Sequence, residues 1–139
     1  MAGILYLVPT PIGNLGDISP RCADILAQVD FIAAEDTRVS MKLLNHLGIK
    51  MPLVSYYRHN TDAAGRSILA KLLEGQPAAL VTDAGTPAVS DPGEELVALC
   101  AEAGVDVVAI PGPCALITAL AVSGLPTGRF TFEGFLAMN

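Results

Sequence analysis

Three short segments concentrate the residue types from which ligand pockets are made. They are Pro9-Thr10-Pro11-Ile12-Gly13-Asn14-Leu15, Thr82-Asp83-Ala84-Gly85-Thr86-Pro87 running on to Ser90-Asp91-Pro92-Gly93, and Pro111-Gly112-Pro113-Cys114-Ala115. Glycine lets backbone come close to a ligand, and proline fixes the shape of the loop that does so. Three stiff loops on one edge would form a preorganised pocket for a small molecule. Within them, Asp83 has two readings. Its carboxylate accepts hydrogen bonds from a ligand's ribose hydroxyls or amino group, or it turns back on the chain as an Asx-turn or cap. Asp91, ahead of Pro92-Gly93-Glu94, reads as a helix cap with Glu94 completing a capping box.

Two further segments carry groups that move protons or bind phosphate. Glu35-Asp36-Thr37-Arg38 offers two carboxylates as general bases and a guanidinium for phosphate. The plainer alternative is a carboxylate–arginine cluster paired within itself. Tyr56-Tyr57-Arg58-His59-Asn60 adds His59, an imidazole that can act as a general base, and two rings that can stack on bases, one of which strand spacing would send into the core. Glu35, Asp36 and His59 are therefore the candidate catalytic groups, with Arg38, Arg58 and Asn60 as candidate substrate contacts. Cys114 lacks a positioned base and reads as a packing residue. The chain has no GxGxxG, no GxxxxGK[ST] and no metal-ligand set.

The elements that must position these loops follow from hydrophobic pattern. Apolar runs at 4–8, 31–34, 53–57, 78–81 and 105–110 read as buried strands. Between them, Ser19-Pro20 opens a helix that places Cys22, Leu26 and Val29 on one face. Further helices are expected over 40–47, stopped by Gly48, over 61–74, stopped by Gly75, from the Asp91 cap to about 103, and over 113–122. Segment 130–135 reads as a sixth, edge-type strand or a lead into something else. Five strand–helix alternations predict an α/β domain: a parallel-rich five-stranded sheet with helices on both faces and a ligand crevice at the carboxyl ends of the strands.

Composition sets the outer bounds. A chain of 139 residues with 52% hydrophobic and 16% charged residues suits one domain with a sizeable aliphatic core. No apolar run is long enough to span a membrane and no signal peptide is visible, so a cytoplasmic protein without membrane contact is expected. Cys22, Cys100 and Cys114 read as reduced thiols. The net charge of −6 hides an asymmetry. Residues 38–71 hold six of the eight cations against one acid, Asp62, for +5, which leaves −11 on the rest. Phosphate binding depends on such local potential rather than on net charge.

Taken in order, the three loops with Ala34-Glu35-Asp36-Thr37-Arg38, His59-Asn60 and the closing Phe132-Glu133-Gly134-Phe135-Leu136 closely resemble the bacterial 16S rRNA (cytidine-2′-O)-methyltransferase family of the tetrapyrrole methylase superfamily. The resemblance covers the whole chain. It implies a fold of two α/β domains with S-adenosylmethionine in the cleft between them. Residues 1–128 would be the cofactor-binding domain, with 129–139 leading into a second domain. It implies cofactor contacts at Pro11, Ile12 and Gly13, at Asp83, Ala84, Gly85 and Thr86, and at Gly112, Cys114 and Ala115. It further implies 16S rRNA of the small ribosomal subunit as partner, a homodimer, and no metal. Two alternatives stand beside it: a tetrapyrrole C-methyltransferase of the same superfamily, and a non-catalytic binding or dimerisation module.

Overall fold

The structure, a computed structural model, describes residues 1–138. Five strands, β1 (Leu5–Leu7), β2 (Phe31–Ala34), β3 (Leu53–Ser55), β4 (Ala78–Val81) and β5 (Val107–Ala109), alternate with five helices, α1 (Pro20–Gln28), α2 (Thr37–Leu47), α3 (Thr61–Leu73), α4 (Glu94–Ala103) and α5 (Ala115–Val122). The sheet is wholly parallel in the order β3-β2-β4-β1-β5. This is the expected α/β architecture. Strands β2 and β4, paired on both sides, are buried at every position, as the continuous apolar runs Phe31–Ala34 and Ala78–Val81 require.

Period-two alternation divides the core between the two faces. One face packs Leu5, Ala33 and Leu80 against Ile68 and Leu72 of α3 and Leu96 and Cys100 of α4. The other packs Ile32, Ala79 and Val81 against Cys22 and Leu26 of α1 and Leu43 and Leu44 of α2. The connection leaving β1 therefore passes over one face, and the connection leaving β4 over the other. Between these adjacent strands the chain parts in opposite directions, and at such a switch point an open parallel sheet forms its ligand crevice.

Local chemistry sets the helix ends. Ser19 caps α1 by accepting the Cys22 N–H, with Pro20 at the first helical position. Gly48 and Gly104 close α2 and α4 in the left-handed conformation.

Four expectations are corrected. Helix α2 begins at Thr37 rather than Ser40, because the Asp36 carboxylate accepts the Arg38 N–H and caps it. The cap of α4 is Gly93, at φ 132°, and not Asp91. The turn before it holds Ala88 and Ser90 at positive φ, which carries Asp91 out of capping position. Residues 130–135 form no sixth strand and pair with neither edge of the sheet, β3 or β5, which leaves the reading of a lead into something else. Helix α5 buries none of its residues, so it follows the alternation without covering the sheet.

Leu72 and Leu73 separate core from surface within two residues: the first is fully buried and the second 51% exposed. Leu72→Ala should cost about 2–5 kcal/mol in denaturant unfolding, whereas Leu73→Ala should stay within about 0.5 kcal/mol.

Candidate active site

The three glycine- and proline-rich loops leave β1, β4 and β5, which are neighbours in the sheet, so all three lie on one edge and touch. Thr10 and Gly85 exchange backbone hydrogen bonds in both directions, each 3.0 Å, joining the first loop to the second. The Thr86 hydroxyl donates to the Pro113 carbonyl at 2.9 Å, joining the second to the third. Gly112 closes the triangle, for a Cβ there would lie 2.5 Å from Pro9 Cγ. Gly85, at φ 86°, makes its turn in a conformation that a side chain would resist. The rim stays open: Ile12, Gly13, Asp83, Ala84, Gly112 and Ala115 are exposed, and Pro11, Thr86 and Cys114 are half-buried.

A buried hydrogen-bond chain ties this edge to the carboxylates of β2. The Thr10 hydroxyl donates to the Thr82 carbonyl at 3.2 Å, and the Thr82 hydroxyl donates to Glu35 Oε2 at 2.9 Å. Both threonines are buried. Asp83 Oδ1 accepts the Asp36 N–H at 3.1 Å, so the β4 loop also holds the start of α2. Burial raises the pKa of Asp83 despite that hydrogen bond, and the charges of Glu35 and Asp36 add to the rise. Burial likewise raises Asp91, with Glu35 and Asp83 contributing repulsion. Glu35 and Asp91 line a cavity of about 600 Å³ beside the loop triangle, together with Tyr56, Arg58, Glu95 and Phe135.

The candidate catalytic groups are thereby separated. Glu35 faces the cavity with a fixed carboxylate. Asp36 caps α2 and pairs with Arg38 through two further hydrogen bonds of 3.1 and 3.0 Å, which hold its pKa below the usual carboxylate range. His59 is exposed and meets Tyr57 edge-on at 6.5 Å. Among the candidate substrate contacts, Arg58 lines the cavity. Asn60 is occupied within its loop, accepting the Tyr57 N–H and donating to the Ser55 carbonyl. Arg38 is 88% exposed in its pair with Asp36. Of the other cations in the basic stretch, Arg66 pairs with Asp62 and Lys71 lies 4.8 Å over the Phe31 ring. Thr82 and Tyr56 are the residues of this region that sequence pattern does not single out. A threonine at a strand end has no distinctive signature, and Tyr56 reads from its spacing only as a stacking ring or a core residue. No group of side chains suited to a metal ion occurs among the described residues, and no described helix is long and apolar enough to cross a membrane.

Residues 4–137 match the Tetrapyrrole (Corrin/Porphyrin) Methylases family. The chain belongs to that family. It is 60% identical over 135 residues to the ribosomal RNA small subunit methyltransferase I of Synechocystis sp., covering 97% of this chain and 48% of that protein. It is 57% identical over 134 residues to the protein of the same name from Escherichia coli O157:H7, covering 96% and 47%. The chain thus spans about half the length of the curated relatives it matches, and the match falls on their amino-terminal half. Among solved structures, a conserved hypothetical protein of Aeropyrum pernix K1 superposes with a TM-score of 0.74 at 24% identity, over 94% of this chain and 45% of that one. Uroporphyrin III C-methyl transferase of Thermus thermophilus gives 0.65 at 22% identity, over 95% and 57%. The two solved structures share the methylase fold.

The raised carboxylates make a signed prediction. An acid whose pKa is higher in the folded than in the unfolded state destabilises the fold as it ionises. Asp91→Asn should therefore raise the thermal midpoint at neutral pH, and the gain should shrink to nothing as pH falls through the carboxylate range. A gain that persists at low pH would assign the effect to packing.

Proposed function

We propose that this methylase domain binds S-adenosylmethionine on its loop triangle and, in the full-length protein, serves methyl transfer to the ribose 2′-hydroxyl of a cytidine in 16S rRNA. One observation carries the reading: three loops from adjacent strands are locked together at the switch point, and a hydrogen-bond chain runs from them to a carboxylate in the neighbouring cavity. The resemblance to ribosomal RNA small subunit methyltransferase I proteins supports the substrate.

The residues suit the cofactor. Gly13 sits at φ 131° with open space where a side chain would be, giving the backbone close access to a ligand. Asp83 keeps a second carboxylate oxygen for hydroxyl or amino donors, and Gly112 and Ala115 leave the third loop unobstructed. When bound, S-adenosylmethionine supplies an electrophilic sulfonium methyl. The chain's own task is alignment and proton removal. A ribose hydroxyl is a poor nucleophile, and Glu35 accepts its proton as the oxygen attacks, with the Thr82 hydroxyl fixing the carboxylate toward the cavity. The other candidates serve less well, because Asp36 is held ionised by Arg38 and His59 lies outside the cavity. Pro11, Ile12, Gly13, Ala84, Gly85, Thr86 and Cys114 complete the cofactor loops. Residues 129–139 lead toward a second domain that closes the cleft, and the exposed Phe130, Phe132 and Phe135 are its contacts or those of a second copy in a homodimer.

The basic stretch is the RNA-facing side in this reading. Surface ion pairs are worth little, so Arg38 can exchange Asp36 for a phosphate, with Lys42 one turn further along α2 and Lys50 beyond the far end of that helix. Changing Arg38, Lys42 or Lys50 to Ala in the full-length protein should weaken binding to 30S particles and reduce the salt slope by about one unit for each phosphate left without its cation. Unchanged binding by all three would move the RNA surface elsewhere.

Glu35→Gln keeps the Thr82 hydrogen bond but removes the proton acceptor. In the full-length protein it should lower methyl transfer to 30S particles by roughly 10²–10⁴-fold with S-adenosylmethionine affinity unchanged, while His59→Ala should retain most activity. A fully active Glu35→Gln enzyme would remove Glu35 from the chemistry.

A further inference from the structure

Thr10 spends its two donors on different partners. In the parallel ladder between β1 and β4 the Val8 N–H donates to the Leu80 carbonyl at 3.0 Å, so the next bond of the series would run from the Thr10 N–H to the Thr82 carbonyl. The Thr10 N–H instead turns to the Gly85 carbonyl, also at 3.0 Å. The Thr82 carbonyl is left to the Thr10 hydroxyl, which donates to it at 3.2 Å. The flanking Pro9 and Pro11 carry no N–H to share either task. Both threonines are buried, so a Thr82 carbonyl without this donor would be enclosed away from water, which is unfavourable. The hydroxyl thus fixes the Thr82 peptide at the point where the Thr82 side chain leaves it, and that side chain donates to Glu35 Oε2 at 2.9 Å.

We infer that Thr10 is a positioning residue for methyl transfer: its hydroxyl holds the Thr82 peptide, and through it the Glu35 carboxylate, in fixed relation to the loop that carries the cofactor. The inference rests on the reading of Glu35 as the proton acceptor. Thr10 directly precedes Pro11-Ile12-Gly13, so one residue both supports the acceptor and begins the cofactor loop. Its bonds divide the two tasks. The backbone pair with Gly85 shapes the loops and survives a change of side chain, whereas the hydroxyl serves only the arm that runs through Thr82 to Glu35. Transfer requires the acceptor and the sulfonium methyl to be placed relative to one another, and a carboxylate free to swing loses that alignment while the cofactor stays bound. Serine at this position keeps the donor; valine, of the same shape as threonine, does not.

The experiment compares Thr10→Val, Thr10→Ser, Thr82→Val and Glu35→Gln in the full-length protein. The readouts are kcat and KM for methylation of 30S particles and the affinity for S-adenosylhomocysteine. Thr10→Val should lower kcat roughly ten- to a hundredfold with S-adenosylhomocysteine affinity unchanged, and Thr10→Ser should restore most of the rate. Thr82→Val should act alike, and the double valine variant should be no slower than the slower single one, since both cut the same chain. Should Thr10→Val fail to fold, Thr10→Cys carries the test, because a thiol is a weak donor and its kcat should fall well below that of Thr10→Ser. Unchanged kcat in Thr10→Val, equal rates in the Ser and Cys variants, a loss of S-adenosylhomocysteine affinity that accounts for the loss of rate, or losses that multiply in the double variant would each overturn the assignment. A slow Glu35→Gln beside an unimpaired Thr10→Val defeats the role of Thr10 alone. A fully active Glu35→Gln defeats the reading of Glu35 and the role of Thr10 with it.

Discussion

The reciprocal backbone hydrogen bonds between Thr10 and Gly85 hold together what the sheet would otherwise let part. Strands β1 and β4 lie side by side, but their outgoing connections cross opposite faces of the sheet. Nothing in the strand pairing itself keeps the two loops in register beyond the strand ends. The Thr10–Gly85 pair extends the contact past them, in an antiparallel sense that the parallel sheet cannot supply. The Thr86–Pro113 hydrogen bond and the seat of Gly112 on Pro9 then fix the third loop to the same frame. A ligand bound there meets a surface whose ordering cost was met in folding, which is the physical content of preorganisation.

The same frame governs the electrostatics. The Thr10 hydroxyl reaches the Thr82 carbonyl, and the Thr82 hydroxyl reaches Glu35, so a carboxylate on β2 takes its orientation from a loop on β1. Gathering Glu35, Asp83 and Asp91 at adjoining strand ends raises the pKa of the two aspartates through burial and mutual repulsion. Asp36 escapes because Arg38 and the amino end of α2 compensate it. Four carboxylates that look equivalent in the sequence thus have distinct roles.

Much of this is legible in the sequence, for identifiable reasons. Continuous apolar runs such as Ala78–Val81 read as buried parallel strands because both faces of the sheet are covered. Ser19-Pro20 and Gly48 mark helix ends whose chemistry is local. The loop triangle can be anticipated because glycine and proline advertise themselves. What escapes depends on long-range placement. Strand order, with β4 inserted between β1 and β2, is set by packing and leaves no local trace. Asp91 carries the residue types of a capping box, but positive φ at Ala88 and Ser90 redirects the turn and Gly93 takes the cap. Asp36 offers a base by residue type, yet its first duty is to start α2. The role of Thr82 emerges only when β2 and β4 are adjacent, since its partner lies 47 residues away. The closing phenylalanines have strand-like composition but no neighbouring strand.

The three interlocked loops are the proposed cofactor site. Amide hydrogen exchange of the full-length protein with and without S-adenosylhomocysteine tests it most directly, because the demethylated product binds without turnover. Protection is predicted at residues 9–13, 83–86 and 112–115 together, with the exchange of α3 unchanged. Protection confined to the cavity around Tyr56 and Arg58, or absent from any one of the three loops, would contradict the account.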